Sequence, residues 1–172
     1  TLLHTITASD SANVAFTSTY ITSTYRDYHI TFSNVHAATD DVRFDMLISD
    51  DNGSSYKSDS DHQRNSFGLA SDNASILKNN HDSGTQFELT PANMGNAAGE
   101  NTSGEITFFN PLGTDNFKQW IGQNQFSKTN SVAIMYVLGG TYKKTSTQIN
   151  NIKFQFTSGN IASGVFKIYG IT

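Results

Sequence analysis

The chain contains no cysteine among its 172 residues, so a disulfide framework and thiolate chemistry are both closed to it. Secreted domains of modest size often carry cysteine pairs, whereas a particle assembled in a reducing cytoplasm does not. Charge is also scarce. Only 15% of residues are charged, and 11 Lys+Arg against 15 Asp+Glu leave a net charge of −4. With so few cations there is no basic stripe to track a phosphate backbone, and nucleic acid is not expected as a partner. No apolar run approaches the roughly 20 residues that a membrane helix needs, so no membrane partner is expected. The first residues, TLLHTITASD, lack the basic segment and apolar stretch of a signal peptide. Two prolines stand against 13 glycines, which makes the turns mainly glycine-built.

Catalytic signatures are missing too. There is no G-x-G-x-x-G, no Walker A loop and no G-x-S-x-G elbow. The five histidines, His4, His29, His36, His62 and His81, form neither an H-x-x-x-H nor an H-E-x-x-H pair. The expectation is a non-enzymatic chain with no cofactor.

Twelve Phe and seven Tyr form a heavy aromatic load, and Ser, Thr and Asn supply most of the polarity. Thr favours strands, and Ser and Asn favour turns. Period-two alternation dominates. Tyr28, Ile30 and Phe32 make one row; Val42, Phe44, Met46 and Ile48 another. Ile152, Phe154 and Phe156 alternate with polar residues, as do Val165, Lys167, Tyr169 and Ile171 with their neighbours. Val132, Ile134, Tyr136 and Leu138 lie in a run that is apolar on both faces, which predicts a central strand covered on both sides. Shorter strands are expected at 2–7, 13–17, 85–90 and 104–109. The pattern predicts an all-β fold: a single domain over 1–172, a two-sheet antiparallel sandwich of jelly-roll type with about eight or nine strands.

One short helical turn competes with this pattern. Thr114, Asp115 and Asn116 can cap a turn that carries Phe117, Trp120 and Ile121. Two polar stretches, 50–84 and 91–103, read as ordered loops, with Phe67, Leu69, Ile76 and Leu77 anchoring the first to the sandwich.

The segment Ser49-Asp50-Asp51-Asn52-Gly53-Ser54-Ser55-Tyr56 fits S-x-D-x-G-x-[ST]-[WY], the pattern of the Asp-box. That hairpin turn is found in sialidases and in many other β proteins. Asp51 can accept backbone N–H bonds, Gly53 can take positive φ, and Tyr56 can pack the turn on the sheet. A structural turn formed by Ser49, Asp51, Gly53, Ser55 and Tyr56 is preferred to a glycosidase, because the box is not itself catalytic and occurs once. The same region offers Asp50, Asp51, Asn52, Asp59 and Asp61 as oxygen donors for calcium, though without EF-hand spacing. A solvated loop is the preferred reading, and no metal site is assigned. Trp120 and Tyr142 stand outside the clear alternation and are candidates for glycan stacking or an interface.

Two stretches resemble small virion proteins of tailed bacteriophages. The run INNIKFQFTSGNIASGVFKIYGIT, from Ile149 to Thr172, resembles their closing hairpin: an alternating strand, a Ser-Gly-Asn turn and a last strand ending in Tyr-Gly. The run from Val14 to Tyr56 resembles their opening, with a Phe-containing strand, a Tyr-x-x-Tyr element and a strand running into the Asp-rich hairpin. The middle, from about Ser58 to Thr129, carries no such likeness. The resemblance implies a jelly-roll module of a phage head or tail, with no catalytic residues to carry over. It leads to the expectation of a capsid decoration or cement protein in the virion, assembled in the host bacterial cytoplasm. The expected partners are the major capsid protein and further copies of the chain as a trimer. The alternative is a tail appendage that binds host surface glycans.

Overall fold

The computed structural model describes residues 1–172. Twelve strands, and no helix, follow one another along the chain. They are β1 (Leu2–Ser11), β2 (Val14–Phe16), β3 (Asp27–Ala37), β4 (Phe44–Ser49), β5 (His62–Ala70), β6 (Asn73–Gly84), β7 (Phe87–Glu88), β8 (Thr102–Phe109), β9 (Lys118–Ser127), β10 (Ala133–Tyr142), β11 (Asn151–Phe156) and β12 (Ile161–Ile171). They build two antiparallel sheets. The large sheet has eight strands in the order β1-β12-β3-β8-β9-β10-β5-β6, and the small sheet four in the order β2-β11-β4-β7.

The first four strands of the large sheet, β1-β12-β3-β8, face the small sheet as the two halves of a jelly roll. Outside two insertions, the chain crosses from one sheet to the other at each successive strand. The insertions are hairpins. β5–β6 lies between β4 and β7 in sequence, and β9–β10 lies between β8 and β11; both extend the large sheet beyond β8. The jelly-roll sandwich expected from alternation is therefore present, with twelve strands in place of eight or nine.

The inserted strands account for most of the differences from the sequence reading. The stretch 50–84 is a loop only as far as 61, after which it becomes the β5–β6 hairpin. Its alternation is carried by His62, Arg64, Ser66 and Gly68 on the inner face, so a hydrophobicity pattern does not reveal it. The helical turn expected near Trp120 is also a strand, β9. Lys118, Trp120, Asn124 and Phe126 point inward while Gln119, Ile121, Gln123 and Gln125 point outward. Of the three residues at i, i+3, i+4 spacing only Trp120 faces inward, while Phe117 and Ile121 are exposed. Lys118 reads as a solvated cation, yet it is buried, and its Nζ donates to the carbonyls of Asn116 (2.6 Å) and Thr145 (2.9 Å).

The core comprises 31 buried apolar residues. Between the jelly-roll halves it is dominated by Phe32, Phe44, Phe154, Phe156 and Phe166, with Phe44 stacked on Phe154 at 5.9 Å. Under the inserted strands Phe87, Trp120, Phe126, Tyr136, Leu138 and Tyr142 continue it. Here glycines make room. A Cβ on Gly140 would lie 2.4 Å from the Trp120 indole nitrogen, so the large ring and the missing side chain are complementary.

Candidate functional site

The outer face of the large sheet is the feature that the fold leaves unexplained. Side chains alternate across a strand, and the inserted strands send every second residue away from the core. Cross-strand partners line up as Glu105, Gln123, Val137, Phe67 and Lys78 along one row. The next row holds Thr107, Ile121, Gly139, Asn65 and Asn80, and a third Ser103, Gln125, Met135 and Leu69. Phe67, Leu69, Ile76, Ile121, Met135 and Val137 are each between 38% and 62% exposed. They form one patch over β9, β10, β5 and β6. Contiguous apolar patches of this kind on soluble proteins mark interaction sites.

Three hollows lie along this face. One of about 490 Å³ sits over β3, β8, β9 and β10, lined by Thr31, Ser103, Glu105, Gln123 and Gln125. A second, of about 380 Å³, shares Glu105 and Gln123 with it. A third, of about 630 Å³, shares Val137 and Leu138 with the second and reaches Ile76 and Lys78. Together they make a trough across the sheet, lined by Thr, Ser, Glu and Gln side chains at the β3 end and by Phe67, Ile76 and Val137 beside Asn65, Lys78 and Asn80 at the β6 end. At the β3 end the Gln123 amide donates to Glu105 at 3.0 Å, and His29 Nε2 lies 3.5 Å from the same carboxylate.

The residues singled out in the sequence lie elsewhere. Trp120 and Tyr142 are 2% and 1% exposed, so neither can stack on a sugar ring or meet a partner. Trp120 packs edge-on against Phe87 at 5.3 Å, and Tyr142 lies 4.9 Å from the buried His62 ring. The Tyr142 hydroxyl donates to Asp59 at 2.8 Å, and burial followed by that carboxylate pushes its pKa up. Burial lowers the His62 pKa and holds the imidazole neutral, with Nε2 unpartnered. Phe67, Leu69 and Ile76 do not anchor a loop: they stand on the open side of the sheet, and only Leu77 packs on the core. The row from Val132 to Leu138 is covered on one side only, since Ile134, Tyr136 and Leu138 are buried while Met135 and Val137 are open. The doubled apolar pattern of this strand was the signal of the patch, misread there as two-sided burial.

The Asp-box segment forms the turn its spacing predicts. Ser49 and Ser55 hydroxyls each donate to the Asp51 carboxylate at 2.6 Å, and the Ser55 N–H adds a third bond at 2.9 Å. These bonds, the one from Ser49 first, hold the Asp51 carboxyl well below the usual carboxylate range. Gly53 takes a φ of 89°, Tyr56 hydrogen-bonds Asn151, and the Lys153 ammonium sits 3.7 Å from the Tyr56 ring centroid. Asn52 accepts from the Ser18 N–H, and its own N–H donates to Asn150, so the turn ties three loops together. The acidic residues nearby do not converge. Asp50 pairs with Lys57 and Asp61 with Lys144, both at 2.6 Å, while Asp59 serves Tyr142. No three His, Asp or Glu side chains gather as a metal-holding group.

A balanced charge cluster joins β4, β5 and β7. Arg43 contacts Asp45 at 2.8 Å and Glu88 at 3.0 Å, and Arg64 contacts Glu88 at 2.9 Å. Burial pushes the Asp45 carboxyl up against the pull of Arg43. Two cations and two anions cancel, and the cluster pins the inserted β5 to the small sheet. No protein-family model matches the chain, and no curated protein matches it in sequence.

Proposed function

We propose that this chain is a non-catalytic structural protein of a bacteriophage particle, a decoration or cement protein that docks on the capsid through the outer face of its inserted strands. The observation that carries the reading is the apolar patch of Phe67, Leu69, Ile76, Ile121, Met135 and Val137, six of the chain's ten exposed large hydrophobic residues on one face of four neighbouring strands. A surface with few charges associates without desolvating many ions, and apolar groups flanked by amides suit the centre and rim of a protein interface. The resemblance of both chain ends to phage virion proteins supplies the setting. The major capsid protein is then the docking partner, and copies of the chain associate with one another on the shell. Binding of this kind raises shell stability by mass action.

The test is thermal. Particles stripped of the chain should release DNA at a lower temperature than intact ones, and adding the protein back should restore the higher temperature. A variant with Val137→Lys and Ile121→Lys should fold normally and fail to restore it. Unchanged release after stripping sinks the cement role.

A second reading has its own observation. The polar hollow lined by Thr31, Ser103, Glu105, Gln123 and Gln125 offers amides and a carboxylate to sugar hydroxyls. On this reading the protein is a tail appendage for host surface glycans. It predicts affinity for host polysaccharide that is lost on Gln123→Ala and kept in Val137→Lys.

A further inference from the structure

The large sheet ends in a strand that nothing covers. β6 runs for twelve residues, Asn73–Gly84, and pairs only with β5; no strand lies beyond it. Only Gly84 is buried, and Leu77 and Asn79 are half-buried. The inner face of β6 meets the rest of the chain through Leu77, packed on the core, and Asn79, which donates to Glu88 of β7 at 3.2 Å, while its outer edge is open. A long edge strand presents a row of free N–H and C=O groups and is a template for another strand. Of the common protections against such pairing, β6 lacks proline and short length; it carries Lys78, and its register irregularities lie towards its two ends, leaving Leu77–His81 regularly paired with β5.

The side chains of β6 indicate what fits. Ile76, Lys78, Asn80 and Asp82 line the outer hollows of this end of the sheet. Lys78 and Asp82 are exposed, and neither belongs to an ion pair within the chain; the Asp82 carboxylate accepts one hydrogen bond, from the Gln63 amide, through Oδ1. They stand on one face at equal distances on either side of Asn80. An antiparallel strand of identical sequence, centred on Asn80, therefore sets Lys78 opposite Asp82 twice and the Asn80 amide opposite its own copy. We infer that β6 is a self-pairing edge, and that two copies of this chain join their large sheets into one continuous sheet across a two-fold axis at Asn80.

Identical copies meeting through one shared patch form a closed two-fold pair. This contact differs from the trimer expected from capsid geometry, and it leaves most of the apolar patch free for docking on the shell. It stands independently of the particle reading, because it holds for the isolated protein.

Sedimentation equilibrium of the purified chain over a range of concentrations tests the inference. The parent should form dimers. Lys78→Asp sets like charges opposite each other at both symmetric positions, and Asp82→Lys does the same with cations. Each single variant should dissociate about tenfold more readily, given cross-strand charge pairs of ordinary strength. The double variant K78D/D82K restores both pairs and should dimerise like the parent. All these positions are exposed, so unchanged melting curves will show that the variants fold. A chain that stays monomeric, a trimer as the smallest assembly, or a dimer indifferent to Lys78→Asp overturns the inference. So does a double variant that fails to recover. A monomer that still stabilises stripped particles removes this contact and leaves the cement reading standing; a dimer without effect on particles does the reverse.

Discussion

Adjacent glycines in β10 should respond to the same substitution in opposite directions. Gly140 faces the core, where an added Cβ would lie 2.4 Å and 2.6 Å from Trp120 Nε1 and Cε2 and 2.9 Å from Phe87 Cδ1. Neither ring can retreat: Trp120 is 2% exposed, Phe87 is fully buried, and the two are already in edge contact at 5.3 Å. Overpacking of this sort costs about 1–3 kcal/mol. Gly139 points into the outer trough, where the nearest atom to a Cβ is the Trp120 carbonyl oxygen at an ordinary 3.7 Å. There Gly→Ala mainly reduces the freedom of the unfolded chain and should stabilise by about 0.4–1 kcal/mol. At about 2–4 °C per kcal/mol for a domain of this size, the two variants should melt several degrees apart, on either side of the parent. Urea unfolding at constant m-value gives the free energies directly. In a Trp120→Phe background, which removes the second ring, the Gly140→Ala penalty should shrink, and the double-mutant cycle measures by how much. Equal midpoints for Gly139→Ala and Gly140→Ala would refute the assignment of which face of β10 is inside.

Other perturbations test other parts of the fold. Phe154→Ala should cost about 3–5 kcal/mol in urea unfolding, because the ring is fully buried among Phe16, Phe32, Phe44 and Phe166. His62 is buried neutral, with its pKa below 6.5, so the unfolded chain takes up a proton there that the folded one refuses. Stability should therefore fall as pH drops below about 6.5, and His62→Phe should flatten that part of the profile. Asp51 has the opposite linkage: its lowered pKa contributes stability above the unfolded value, lost as pH falls through about 4 and below. Asp51→Asn should remove that acid limb and lower the midpoint at neutral pH; an unchanged profile would mean that the turn is not held by its carboxylate. Deleting residues 163–172 should abolish cooperative unfolding in calorimetry, since β12 lies between β1 and β3 and its loss detaches β1 from the sheet.

The jelly roll was legible in the sequence because its strands obey the simplest rule. Tyr28, Ile30 and Phe32, or Ile152, Phe154 and Phe156, bury one face under a second layer and leave polar residues on the other. The same rule failed on the inserted strands for physical reasons. In β5 the inward residues are His62, Arg64, Ser66 and Gly68: Arg64 pairs with Glu88, Ser66 donates to the Asn79 carbonyl, and His62 packs between Phe87 and Tyr142. In β9 the inward set mixes Lys118 and Asn124 with Trp120 and Phe126, and Asn124 earns its place by donating to the Leu89 carbonyl at 2.7 Å. Polar residues buried with partners look, in sequence, like solvated ones. The opposite error befell Trp120 and Tyr142, whose lack of neighbours in an apolar row suggested exposure. Their partners, Phe87 and His62, come from a different strand and a different loop end, which a local pattern does not contain.

The insertions also separate what stabilises the fold from what is available for binding. The eight jelly-roll strands bury most of their apolar residues between two layers; their outward positions hold Thr, Ser, Lys and His together with Val165, Tyr169, Ile171 and Phe109. The four added strands gain inner cover from Phe87, Leu89 and the segment that follows, but nothing covers their outer side. Folding alone gives no reason to place Ile121, Met135, Val137 and Phe67 there, since Thr or Gln would serve the strands equally well and spare the solvent exposure. Four neighbouring strands carry such residues on one open face, whereas the jelly-roll strands expose fewer, Leu2, Phe109 and Ile171, and that concentration is the distribution expected when the inserted strands have a partner.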